Sequence, residues 1–116
     1  MAGCIFCKVA RGEVPAKVVY RDDDRGVLAI EDVNPQAPVH LLVMPIAHYE
    51  TLWDAIRQGG DALPATLFEV ASNLGKERGG ARGFRLVVNT GEDGGQTVGH
   101  VHLHVLARRH MTWPPG

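Results

Sequence analysis

With 116 residues, the chain has room for one domain. A domain of this size buries only about 60 to 70% of its unfolded surface, so a metal or a partner subunit is an expected aid to stability. Hydrophobic residues at 45% and charged residues at 22% exclude a disordered, charge-rich chain. Twelve Lys and Arg against thirteen Asp and Glu leave a formal net charge of −1, and without a long-range field the expected partners exclude DNA, RNA and membrane surfaces.

The apolar run Leu41-Leu42-Val43-Met44 is far shorter than a bilayer span, and Met1-Ala2-Gly3-Cys4 lacks the basic-then-apolar pattern of a secretory leader. A cytoplasmic location is the expectation. Along the chain, Ile5–Ala10 reads as a short helix stopped at Gly12, and Val18–Tyr20 with Val27–Ile30 as a hairpin across the charged turn 21–26. Two prolines make 32–38 a loop, and His40–Met44 is apolar enough to be a central strand, stopped at Pro45. Leu52, Trp53 and Ile56 recur at helical spacing within 49–56, and Gly59-Gly60 breaks that helix. Asp61 can cap the next one, whose buried stripe is Leu63, Leu67, Val70, Ala71 and Leu74. Phe84–Asn89 is a strand, 91–97 a glycine-rich loop, and 111–116 an extended tail. The expected class is α+β, a mainly antiparallel five-stranded sheet with helices on one face.

Cys4 and Cys7 are the only cysteines. Close spacing suggests a metal clip or a redox pair, and metal leads because no βαβ unit follows. Two thiolates leave a tetrahedral zinc site half built, so two further ligands must come from a histidine or carboxylate elsewhere.

His100, His102 and His104 alternate with Val101, Leu103 and Val105. As a strand, this segment turns the imidazoles to one face and the aliphatic side chains to the other, with same-face residues about 6 to 7 Å apart. A face of unpartnered imidazoles is unstable charged or neutral, so these rings are expected to surround an anion or to divide between a metal and a nucleophile. Asn89, Gln96 and Thr97 border the loop and can donate to phosphate, together with its backbone N–H groups. The loop matches neither a dinucleotide fingerprint nor a P-loop, so histidine must carry the chemistry.

The stretch from Gly95 to Leu106, with Ile5–Lys8, Asp32–His40 and Trp113-Pro114-Pro115-Gly116, resembles the histidine triad (HIT) superfamily of nucleotide hydrolases and transferases, and its adenosine phosphoramidase branch in particular. The resemblance implies the HIT-like fold over 1–116, a homodimer, and a C-terminal tail, 107–116, at the dimer interface. It implies hydrolysis of purine nucleoside 5′-phosphoramidates, with dinucleoside polyphosphate hydrolysis or regulatory nucleotide binding as alternatives. By that resemblance His102 is the nucleophile, His104, Asn89 and Thr97 contact phosphate, and His40 stands behind the nucleophile. Asp32 would hold the ribose of a purine nucleoside monophosphate or phosphoramidate, and Ile5, Phe6, Val9, Ile30 and Val33 would wall its base. The zinc-binding members imply a structural zinc on Cys4, Cys7, His48 and His100. Gly99, where many relatives have tyrosine, and Arg108-Arg109, in place of a Gly-Gly pair, depart from the pattern and bear on the leaving-group channel.

Overall fold

The computed structural model describes residues 3–116. Five strands, β1 (Val18–Asp22), β2 (Val27–Glu31), β3 (Val39–Pro45), β4 (Phe84–Val88) and β5 (Leu103–Ala107), form one antiparallel sheet in the order β1-β2-β3-β5-β4. The most apolar strand, β3, is central, as expected of a strand buried on both faces.

Alternation along the strands sorts the core into two layers. Val27, Ala29, Leu41, Val43, Leu103 and Val105 pack against Leu67, Val70, Ala71 and Leu74 of α3 (Ala62–Gly79). Leu28, Ile30, Leu42 and Met44 point the other way, onto Phe6 and Val9 of α1 (Ile5–Ala10). The long helix α3 thus covers one face, with α2 (Leu52–Gln58) beside it, while the short α1 adds a turn on the opposite one. No described helix is long and apolar enough to cross a membrane.

Two local expectations are corrected. Asp61 makes no side-chain cap to α3; the capped helix is α2, where Thr51 and Asp54 form a reciprocal capping box. The histidine strand is shorter than its pattern: β5 begins at Leu103, and His100 and His102 precede it. Both neighbouring ladders end at that level, with Val43 and Val88 each paired to Leu103, so the backbone before it has no partner strand. A single bond from Val101 N–H to the Tyr49 carbonyl, 2.8 Å, keeps the segment extended, and Val101, Leu103 and Val105 still bury together.

Candidate metal cluster and histidine cleft

Cys4 caps α1, its Sγ accepting the Cys7 N–H at 3.4 Å, so the first helical turn sets both sulfurs on one side. His48 follows the end of β3, and His100 comes from the segment before β5. The Cys4 sulfur lies 3.3 Å from Nδ1 of His100, and the Cys7 sulfur 3.3 Å from Nδ1 of His48 and 3.6 Å from that of His100. All four ligand atoms fall within 4.8 Å of one another. A tetrahedron with Zn–S near 2.3 Å and Zn–N near 2.0 to 2.1 Å has S···N edges of about 3.5 Å, so the spacing fits zinc as well as the donor types do. Nε2 of His100 lies 2.8 Å from the Pro45 carbonyl, which can only accept. The proton therefore sits on Nε2, and the Nδ1 lone pair faces the sulfurs. Burial, followed by the neighbouring Cys4 sulfur, pushes the Cys7 thiol above its ordinary value, and a dication is what reverses that balance. With four protein ligands the site is of the closed, structural kind.

Two residues further on, the same logic gives the opposite tautomer. Nδ1 of His102 lies 2.8 Å from the His100 carbonyl, so Nδ1 carries the proton and the Nε2 lone pair is left for the cleft. A second chain of bonds orders the other rings. The Gln36 N–H donates to Nδ1 of His40 at 3.0 Å, which places the His40 proton on Nε2. That proton bridges 2.9 Å to Nδ1 of His104, so Nε2 of His104 is a donor. The ring centroids of His102 and His104 stand 5.0 Å apart, and the edge of Phe6 meets His102 at 5.1 Å. A lone pair and an N–H are thus offered side by side.

Burial holds all three imidazoles below the ordinary histidine range. For His104, burial and then the adjacent His102 and His40 bring the value to about 4. Neutral rings at neutral pH are what a histidine nucleophile and an uncharged donor require.

Asp32 serves both the turn and the site. Its Oδ1 accepts the Asn34 N–H at 2.8 Å, while Oδ2 lies 3.4 Å from Nε2 of His40. The loop residues divide. Thr97 is exposed, and Asn89 gives one amide proton to the Gly94 carbonyl at 2.7 Å. Gln96 differs from the expected phosphate donor: its Nε2 protons go to the carbonyls of Glu50 (2.6 Å) and Val98 (3.0 Å), and its Oε1 accepts the Gly91 N–H. It pins the loop. Of the expected base wall, Phe6, Val9 and Ile30 are buried in the α1-side core, whereas Ile5 is exposed and Val33 is 96% exposed. The groups that sequence reasoning missed are main-chain ones, the carbonyls of Pro45 and His100 and the N–H of Gln36, and these leave no mark in residue type.

The HIT domain family matches residues 11–111. The chain belongs to that family. A crystal structure of a HIT family hydrolase from Legionella pneumophila Philadelphia 1 superposes on this HIT domain with a TM-score of 0.90 and 45% identity, covering 98% of this chain and 100% of that one. A 14 kDa zinc-binding protein of Brassica juncea is 41% identical over 97% of this chain and 98% of its own. A zinc-bound histidine triad family protein from Mycobacterium smegmatis has a TM-score of 0.81 at 30% identity, covering 99% of this HIT domain and 81% of that chain.

Proposed function

We propose that the chain hydrolyses purine nucleoside 5′-phosphoramidates through a covalent nucleotidyl-histidine. The observation that supports this most is the bond from His102 to the His100 carbonyl, because it leaves the Nε2 lone pair facing the cleft beside the donor Nε2–H of His104. Nε2 of His102 attacks the α-phosphorus, the phosphorus–nitrogen bond to the amine breaks, and the amine leaves with a proton drawn from solvent, which the attacking water of the second step returns. Water then attacks the same phosphorus, the phosphorus–histidine bond breaks, and the nucleoside monophosphate departs. His104, Thr97, the remaining Asn89 proton and the loop N–H groups would stabilise the charge that gathers on phosphorus-bound oxygen. His40 keeps His104 in the donor tautomer. Asp32 would accept the ribose hydroxyls, and Ile5 and Val33 are the exposed apolar groups that can cover a purine.

Cys4, Cys7, His48 and His100 would hold zinc, which supplies a structural cross-link between α1, the end of β3 and the segment before His102. As a homodimer, the chain would use its tail at the interface; Trp113, 82% exposed, is the apolar contact it offers. Sedimentation of the purified protein tests that assembly.

The reading is tested by incubating the protein with an adenosine 5′-phosphoramidate and following phosphorus by NMR. Release of AMP, with an acid-labile adduct on His102 after quenching, is the expected result. Tight AMP binding with no turnover would leave a nucleotide-binding protein in place of an enzyme.

A further inference from the structure

The two thiols that would bind zinc also stand where they can bind each other. Cys4 is the N-cap of α1 and Cys7 lies in its first turn, with the Cys7 N–H already donating to the Cys4 sulfur at 3.4 Å. Residues three apart on a helical turn have Cα atoms about 5 Å apart, within the span of a disulfide, so oxidation needs rotation of the side chains and no backbone movement. The chain has no other cysteine, which leaves each sulfur a single partner within the molecule. Cys7 is buried and Cys4 partly exposed, so a small oxidant meets Cys4 first.

The same pair decides how firmly the histidine segment is held. His100 meets the sulfurs through Nδ1, 3.3 Å from Cys4 and 3.6 Å from Cys7. A disulfide takes both sulfurs out of the ligand set, and two imidazoles are too few for a closed zinc site. The backbone before Leu103 has no partner strand, so the bonds from Val101 to the Tyr49 carbonyl and from His100 to the Pro45 carbonyl would then carry the segment. With the metal cross-link gone, the His100 carbonyl that holds the Nδ1 proton of His102 is free to shift.

We infer that Cys4 and Cys7 are a redox modification site: a hydroperoxide converts them to a reversible disulfide, zinc departs, and His102 loses its fixed tautomer. The Cys4 thiolate attacks one peroxide oxygen, the oxygen–oxygen bond breaks, and hydroxide leaves a sulfenic acid behind. The Cys7 thiolate then attacks the Cys4 sulfur, the sulfur–oxygen bond breaks, and a second hydroxide leaves as the sulfur–sulfur bond forms. Two electrons pass from sulfur to peroxide, and solvent protons convert both hydroxides to water. The consequence for turnover rests on the proposed role of His102; the disulfide and the loss of metal do not.

The test treats the full-length, zinc-loaded protein with hydrogen peroxide. Zinc release is followed with a chromophoric chelator, disulfide content by mass spectrometry after alkylation, and the His102 ring by nitrogen-15 NMR. One zinc should be released for each intramolecular disulfide, His102 should pass from a single Nδ1–H form to a mixture of tautomers, and phosphoramidate turnover should fall at least about tenfold. Dithiothreitol with added zinc should restore all three. Cys4→His keeps four ligands of zinc-binding type but leaves Cys7 without a resolving thiol, so its zinc should stay bound at peroxide doses that empty the wild type. Zinc retained with both thiols free under excess peroxide overturns the inference, as does oxidation of Cys4 to sulfinic acid without a disulfide, or equal zinc loss from Cys4→His. Should that variant take up no zinc, the match of zinc released to disulfide formed in the wild type decides. Zinc release that leaves the His102 tautomer fixed overturns the link to the cleft. If no phosphoramidate is turned over, the functional reading falls while zinc, disulfide and tautomer still report on the site.

Discussion

His100 and His102 are two residues apart and both buried, yet they present opposite nitrogens to their surroundings. The Pro45 carbonyl takes the Nε2 proton of His100 and turns its Nδ1 to the thiols; the His100 carbonyl takes the Nδ1 proton of His102 and turns its Nε2 to the cleft. Identical side chains are set up as a metal ligand and as the proposed nucleophile because of which backbone oxygen each one meets. The two sites are also coupled, since the peptide that fixes His102 belongs to the residue that joins the metal cluster.

The sharpest division between the two is expected from His102→Ala. Turnover of a phosphoramidate should fall by at least ~10³-fold while zinc content and melting temperature stay near wild type, because the residue belongs to only one of the sites. Turnover within tenfold of wild type would move the nucleophile elsewhere.

Cys7→Ser asks the converse question. It replaces one of four ligands, so zinc affinity should drop more than about 100-fold and the melting temperature should fall, since binding energy of a structural metal is folding energy. Turnover should fall with it, through the misplaced His100 carbonyl. Full activity in metal-free Cys7→Ser, measured with zinc quantified by elemental analysis, would show the coupling to be absent.

Titration separates the sites more gradually. His104 has an ordinary value of 6.5 and is lowered to about 4 in the fold. Between those values the unfolded chain binds a proton that the folded chain refuses, so stability is full above about 6.5 and declines as the pH falls through that window. His40, lowered in the same direction by burial, adds to the decline. kcat/KM should hold down to about pH 5 and collapse near pH 4, as His104 becomes charged. A melting temperature that rises on acidification from pH 7 to pH 4 would contradict the neutral relay.

Much of this is legible in the sequence alone. The alternation Val101-Leu103-Val105 buries as read, the stripe from Leu63 to Leu74 faces the sheet, and Cys4 and Cys7 lie together on the first turn of α1. These are properties of period and spacing. What was not legible depends on partners distant in sequence. The start of β5 at Leu103 follows from where β3 and β4 end, and no pattern within residues 100–105 contains that information. Tautomers were hidden for the same reason, because a carbonyl is present at every residue and only the fold says which one an imidazole meets. Asp61 had a capping residue's chemistry but helical backbone angles, with φ of −66° and ψ of −29°, and a capping side chain needs the extended form.

Gln96 gives the smallest effect. Residue type marked it as a phosphate donor, whereas its amide protons reach Glu50 and Val98 and its oxygen holds the Gly91 N–H. Each such bond near the surface contributes up to about 1 kcal/mol, so Gln96→Ala should cost about 1 to 2 kcal/mol and lower the melting temperature by several degrees. Its kinetic signature distinguishes the two roles. A loop that has merely lost its anchor binds phosphate less well in ground and transition states alike, which raises KM a few-fold and leaves kcat near wild type. Loss of a donor that acts on the pentacoordinate phosphorus lowers kcat by 10²-fold or more, as removal of a transition-state hydrogen bond does. The second pattern would return Gln96 to the reacting centre and require its bond to the Glu50 carbonyl to break on nucleotide binding.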